Sequence, residues 1–437
     1  MASKLTRNVI LNSRTIAGTV FTGLTWGAVH AAERNELKIG LVGCGGRGRG
    51  AIVNALNADP NTKVVALADA FEANAKAAAE GLQTQFESRV DLKDGIFWGL
   101  DAYKEVVDRV DVVLLCEVAA FRPRSMRYAV EQGKHVFAEK PNAIDAPGVR
   151  SVVESAQIAK EKGLTLVSGL CWRYDLNVQD MMKRILDGAI GEITSARLNY
   201  LAGKLWTRPR QEGDTELMYQ VRNWYNFAGC SGDFMLSQHV HTLDKGLWAM
   251  RDVPPASCYA LGGRMQRVEQ PEYGDIYDAA AMVFEYPNGT TLNTFCRQQD
   301  NCWSENEAYF TGTKGHAAVL RNARITDLDG KVIYQQEKVE SDMYELEHRE
   351  LFKSVRGEID TINNGDYMAK ATAMGIMART ACYTGKRVNW DEVWNSDETF
   401  GPSEYTWDGT PRNTPDANGR YKVAVPGAGL VYHSVKR

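Results

Sequence analysis

A chain of 437 residues is long enough for two or three domains. With 44% hydrophobic and 24% charged residues it has the profile of a soluble globular protein, which excludes a disordered or fibrous chain. A net charge of −4 offers no basic surface to nucleic acid or to an anionic membrane.

Taken in chain order, the first segment stands apart. Lys4, Arg7 and Arg14 precede an apolar run, "IAGTVFTGLTWGAV" (16–29), too short to span a bilayer and followed by small residues up to Ala31. That order, basic then apolar then small, predicts an export signal over 1–31 and a periplasmic mature chain. "TRNVIL" (6–11) resembles a twin-arginine signal in which Asn8 replaces the second arginine.

Strands and helices then alternate. "LKIGLVG" (37–43), "TKVVALADA" (62–70), "VDVVLLCEV" (110–118), "KHVFAEKP" (134–141) and "LTLVSGLCW" (164–172) read as buried strands with helical segments between them. Such alternation predicts a doubly wound parallel sheet with crossover helices over 32–173. Gly43, Gly45 and Gly48 form a GxGxxG loop directly after the first strand and opening a helix, with Gly46 and Arg47 inside it. Glycines there let backbone N–H groups approach a pyrophosphate, and the helix N-terminus adds favourable partial charge. Asp69 closes the second strand about 20 residues past the loop, where a carboxylate accepts the adenosine ribose hydroxyls. It would repel a 2′-phosphate, so NAD is expected rather than NADP.

After Tyr174 the pattern changes. "NVQDMMKRILDGAIG" (177–191) is one helix, and "ITSARLNYLAG", "ASCYALGGRM", "AAAMVFEYPNGTTLNTFCRQ", "AYFTGTKGHAAVL" and "ARITDLDGKVIYQ" read as strands in antiparallel style. "PNG" (287–289) and "DG" (329–330) mark hairpin turns. Two late helices, 344–357 and 366–385, are placed to pack back on the first domain. The predicted second domain is thus α+β, with a large, mostly antiparallel open sheet, over 174–396, and an irregular tail follows over 397–437. Eight cysteines are scattered without a CxxC pair, which argues against a disulfide framework.

At "AEKP" (138–141) the sequence resembles the glucose-fructose oxidoreductase / inositol dehydrogenase / MocA family. "GKHVFAEKP", "ILDGAIGEITSARL" and "FTGTKGHAAV" carry the likeness along most of the mature chain. "RNWYNF", "QHVHTLD" and "PEYGDIYDAAAMVFEYPNG" are similar to an exported sugar-oxidoreductase branch. The resemblance implies that Glu139 and Lys140 sit at the cofactor, with Lys140 beside the nicotinamide and the reacting hydroxyl. The family's usual TP after the third strand is replaced by Glu117 and Val118.

The same resemblance makes His241 the general base of "SQHVHTLD" (237–244), with Ser237 where an aspartate is usual and Asp244 as a candidate partner. On a helix His239 and His241 point about 200° apart and do not share a metal. No other cluster completes a metal site, so none is expected. His239, Arg173 and Tyr174 in "CWRYD", and Arg222 and Trp224 in "YQVRNWYNF" are further substrate-binding candidates; a tryptophan face suits the C–H surface of a sugar. The expected activity is hydride transfer between NAD and a hydroxyl of a sugar, cyclitol or sugar derivative. Two alternatives stand beside it: an NAD-dependent glycosidase working through transient oxidation, and a non-catalytic sugar- or cofactor-binding protein. A homo-oligomer, dimer or tetramer, is implied by the open face of the second sheet.

Overall fold

The computed structural model describes residues 36–428 apart from 269. The proposed export segment, 1–31, lies outside the described residues. Among these residues no helix is long and apolar enough to cross a membrane.

Six parallel strands make the first sheet: β1 (Leu37–Val42), β2 (Thr62–Asp69), β3 (Ile96–Trp98), β4 (Val112–Leu115), β5 (His135–Ala138) and β6 (Leu166–Ser168). Their order is β3-β2-β1-β4-β5-β6. The order reverses direction between β1 and β4, and such a switch point opens a crevice at the carboxyl ends of the strands. The crossovers are α1 (Gly46–Ala58), α2 (Glu72–Phe86), α3 (Tyr103–Arg109), α4 (Arg122–Glu131) and α5 (Ala146–Glu161). All four residues of β4 are buried, as a strand covered on both faces must be. Strand β3 escaped the sequence reading because it is three residues long and ends in the exposed Trp98.

The chain leaves β6 through a short 3-10 turn, Cys171–Tyr174, where the sequence suggested a longer strand, and enters α6 (Leu176–Leu186). Strand β7 (Ile193–Ala202) follows. Four helices then run in succession: α7 (Glu216–Arg222), α8 (Ala228–Ser231), α9 (Phe234–Ser237) and α10 (Val240–Ala249). The remaining strands are β8 (Ser257–Gly263), β9 (Ala279–Glu285), β10 (Thr291–Gln298), β11 (Glu305–Gly312), β12 (Gly315–Ala318), β13 (Arg324–Asp327), β14 (Val332–Gln335) and β15 (Val388–Asn389). With β7 they build a nine-stranded sheet, β14-β13-β12-β11-β7-β10-β9-β8-β15. Only the β7–β10 pair is parallel. Both glycine turns read from the sequence join neighbouring antiparallel strands, β9 to β10 and β13 to β14.

Alternation along these strands sends Cys258, Met282, Phe284, Leu292, Cys296 and Phe310 into the core, where α10 and α12 (Gly365–Thr384) cover them. The helix α11 (Met343–Val355) returns to the first domain: its Leu351 and Phe352 join the cluster of Ile39, Leu41, Ile52 and Leu114. A last short helix, α13 (Trp390–Trp394), precedes the tail. From 397 to 428 the chain is irregular but anchored. Phe400 is buried between the Arg379 and Arg412 guanidinium groups, Asn413 donates to Asp275, and the Tyr277 hydroxyl donates to the Ala424 carbonyl. All eight cysteines are free thiols.

Candidate active site

At the carboxyl end of β1 the chain turns sharply. Gly43 has φ +92°, and a Cβ there would lie 2.4 Å from the Glu117 backbone nitrogen. A Cβ on Gly48 would lie 1.8 Å from the Gly43 carbonyl oxygen. These two glycines let β1, the loop and α1 pack together. Gly45 and Gly46 do the opposite: nothing lies within 4 Å of where their side chains would be. Helix α1 starts there with neither a side-chain cap nor an acidic residue in its first turn. Its leading N–H groups are therefore left for an anion, as a dinucleotide pyrophosphate requires. Asp69 ends β2 beside this loop, accepting from the backbone of Cys44 (2.7 Å) and Phe71 (2.9 Å) and from the Asn74 amide (3.0 Å). Burial holds its carboxyl above the ordinary range. The loop, the helix end and the carboxylate fit an adenine dinucleotide.

Two residues expected at the cofactor, Arg47 and Glu139, are joined to each other. Arg47 forms an ion pair with Glu139 and a second, at 3.0 Å, with Glu347 of α11, beneath the Tyr344 ring. Glu139 is almost completely enclosed, and its other oxygen accepts from the Lys140 backbone at 3.1 Å. The pair fastens the glycine loop to the end of β5 and to α11. The same pair fixes where Lys140 emerges.

Lys140 follows β5 in a cis peptide with Pro141. Its Nζ donates to the Ser237 carbonyl at 2.9 Å. Ser237 closes α9, and the break at Gln238–His239 starts α10. Because of that break Ser237 is not one turn below His241 on a continuous helix. What it contributes is a carbonyl for the lysine, and its hydroxyl, buried, has no partner. His241 lies in the first turn of α10, half-buried, with Nδ1 unpartnered. Burial, the Lys140 ammonium and the Lys245 ammonium all push His241 well below the usual histidine range, so it is neutral at neutral pH. Burial likewise lowers Lys140. The two side chains are thus close enough to couple, on the crevice side of the first sheet.

Several expected substrate contacts are used elsewhere. Arg173 makes a two-oxygen ion pair with Asp244 (2.8–3.0 Å), reaches Asp252 at 2.6 Å, and lies over Tyr367. Asp244 is therefore not the partner of His241, and neither member of the pair is free for a sugar. The Tyr174 hydroxyl donates to Asn364 at the start of α12. Arg222 pairs with Asp214 at 2.8 Å and covers the face of Phe71, just past Asp69, which places it toward the adenosine end. Trp224 stacks on Tyr225 at 3.8 Å and meets Trp206 edge-on. His239 is fully buried with both ring nitrogens unpartnered, and burial drives it down to about 3.

Four residues not singled out from the sequence border His241 or its segment. Tyr200 donates to Gln238, which in turn donates to the Tyr225 hydroxyl, each at 2.8 Å. Lys245, one turn past His241, is fully buried, donates to the His241 carbonyl at 3.1 Å and lies 4.6 Å from the Trp172 ring centre; burial lowers it to about 8. Its position four residues after a catalytic candidate on a helix was a usable signal. Among the described residues no group of three His, Cys, Asp or Glu side chains is arranged to hold a metal ion.

Residues 37–170 match a family model described as "Oxidoreductase family, NAD-binding Rossmann fold", and residues 178–318 match the GFO/IDH/MocA C-terminal domain. The chain is 27% identical over 206 residues to 2,7-anhydro-N-acetylneuraminate hydratase of Escherichia coli K12, covering 47% of this chain and 50% of that protein. It is 29% identical over 157 residues to inositol 2-dehydrogenase of Rhizobium meliloti, covering 36% and 43% respectively. These matches span half or less of the curated relatives. An aldose-aldose oxidoreductase from Caulobacter crescentus, solved with glycerol, shares the fold with a TM-score of 0.63 at 18% identity, over 81% of this chain and 99% of that one.

Proposed function

The chain belongs to the GFO/IDH/MocA oxidoreductase family, whose first domain is an NAD-binding Rossmann fold, and from that premise we propose that it oxidises a hydroxyl of a sugar or cyclitol. The observation that carries this reading is the meeting of Lys140 and a neutral, half-buried His241 at the crevice, beside a glycine loop with open N–H groups. When bound, NAD supplies a hydride acceptor at nicotinamide C4. The chain's own residues handle the proton and the charge. His241 takes the carbinol proton; it is unprotonated at neutral pH and is ready as a base. Lys140 stabilises alkoxide character on the same oxygen. The Tyr200–Gln238–Tyr225 chain presents hydroxyl and amide groups beside the base, a polar lining suited to a polyol. Asp69 favours NAD over NADP, since a 2′-phosphate would meet a buried carboxylate.

The relatives that act on inositol support the cyclitol side of this reading. The hydratase relative supports a second one, in which oxidation is transient and a glycosidic or anhydro bond is opened without net redox change. One experiment separates them. Purified protein is mixed with NAD and a panel of sugars, cyclitols and aryl glycosides, with absorbance at 340 nm and aglycone release followed together. Rising absorbance with a sugar or cyclitol supports the oxidoreductase. Aglycone release at flat absorbance selects the second reading. Neither signal from any compound, despite bound NAD, overturns both.

We propose also that the exposed face of the nine-stranded sheet is covered by a second copy. On it Leu261, Ala281 and Phe295 stand side by side across β8, β9 and β10, next to a row of Tyr259, Val283 and Asn293. Leu261 is 80% exposed, and an apolar row of this kind marks a contact surface.

A further inference from the structure

We infer that the C-terminal segment is part of the cofactor site, and that Tyr405 and Trp407 wall its adenosine end so that the nucleotide stays with the protein between turnovers. This rests on the NAD reading above. A cavity of about 30 Å³ lies between Asp69, Leu100, Tyr103, Glu117 and Phe121, behind the glycine loop. It is at the side of the crevice where the strand-end carboxylate would take the adenosine ribose. One acceptor in it is unused: Glu117 Oε2 is buried and has no partner, while its other oxygen accepts from the Ser125 hydroxyl. A buried, unpartnered carboxylate oxygen points to a donor that belongs there.

The tail packs on two aromatic rings beside this cavity, Phe71 and Phe121. Phe71, two residues past Asp69, stacks on Trp407 with ring centres 5.5 Å apart. Phe121 meets the edge of Tyr405 at 5.7 Å. Thr215 donates to the Trp407 carbonyl at 2.9 Å, and Arg124 lies over the Tyr405 ring at 4.5 Å. On either side of this crossing the tail is tied down, by buried Phe400 before it and by Asn413 and Tyr421 after it. Segment 405–407 therefore bridges from Phe71, just past the end of β2, to Phe121 at the start of α4, a residue that lines the cavity. An adenosine on Asp69 would lie against Phe71 and Phe121, and the Phe71–Trp407 and Phe121–Tyr405 contacts that hold these rings in place slow its release.

The test reads nucleotide release directly. Full-length protein is loaded with NADH, an excess of NAD is added, and the decay of bound NADH fluorescence gives the dissociation rate. Trp407→Ala and Tyr405→Ala are each expected to release NADH at least tenfold faster than the parent, with Trp407→Phe in between. Tyr405 is exposed, so its variant tests the wall even where Trp407→Ala fails to fold. Equal rates in the parent and both variants overturn the inference and leave the NAD reading intact. A parent protein that binds no NADH overturns both.

Discussion

If Lys140 and His241 act on one carbinol as proposed, removing either should stop chemistry and spare the cofactor. Lys140→Met and His241→Asn are each expected to bind NAD with nearly the parental Kd by calorimetry. Turnover should fall by about 10²–10⁴-fold, the range for removing one acid–base or charge-stabilising group. A His241 whose pKa lies well below the ordinary value also predicts the pH profile. The base form persists as pH falls through 6, so the acid limb of kcat/KM should lie below the usual histidine range. An acid limb centred near 6.5 would remove His241 as the base. At this scale the sequence was informative where the residue type serves one purpose. Gly43 and Gly48 are required by close backbone approach, and Asp69 by its place at a strand end. Arg173, Asp244, Arg47 and Glu139 were not legible in the same way. An arginine held in an ion pair and one waiting for a sugar look alike until the partner is known.

Among the elements, the joints matter most. The Arg173–Asp244 pair ties the 3-10 turn after β6 to α10, which carries His241 on its first turn. Breaking a buried pair by removing one partner leaves an uncompensated charge and costs about 3–5 kcal/mol. Arg173→Met should lower the urea unfolding free energy by about that amount, whereas a change under 1 kcal/mol would show that Asp244 takes up a proton or is met by solvent once the guanidinium is gone. The break between α9 and α10 was not read from "MLSQHVH". Nothing in that run excludes a continuous helix, and the lysine from β5 that binds the Ser237 carbonyl is 97 residues away. The tail posed the same difficulty. Its Pro, Gly and Asp content correctly suggested irregular structure, but its aromatic contacts depend on residues more than 200 positions earlier.

For the whole molecule, two properties follow from burial. His135 and His348 are held down to about 4 and His239 to about 3, each chiefly by burial. Near neutral pH both folded and unfolded chains carry them neutral. As pH falls below about 6.5 the unfolded chain takes up protons that the folded one refuses, so stability is lost from there down to the folded values. The three rings should therefore pull the thermal midpoint down between pH 7 and pH 5, against the buried carboxyls of Asp233, held up to about 6, and Glu347, which pull it up; His348→Gln should lessen the fall, and a fall unchanged in that variant would mean that this ring reaches solvent. The second property is the open sheet. If a second copy covers it, light scattering should give at least twice the chain mass, and Leu261→Glu with Phe295→Lys should return the monomer with the fold retained. A parent chain that is already monomeric at high concentration would reject that assembly.

The sequence by itself determined the alternation of strands and helices, the glycine loop after the first strand, the carboxylate at the end of the second and the change to antiparallel strands after 174. Each of these is a local pattern, set by periodicity of burial or by the conformational demands of a few adjacent residues. Tertiary structure decided which polar residues are paired and which are available. It set Lys140 against the α9–α10 break, turned His239 inward, used Arg173 on Asp244 and drew the tail onto Phe71, just past Asp69. Those outcomes depend on contacts between distant segments. A charge or a ring in such a contact is chosen by what lies opposite it in space, which its neighbours in the chain do not record.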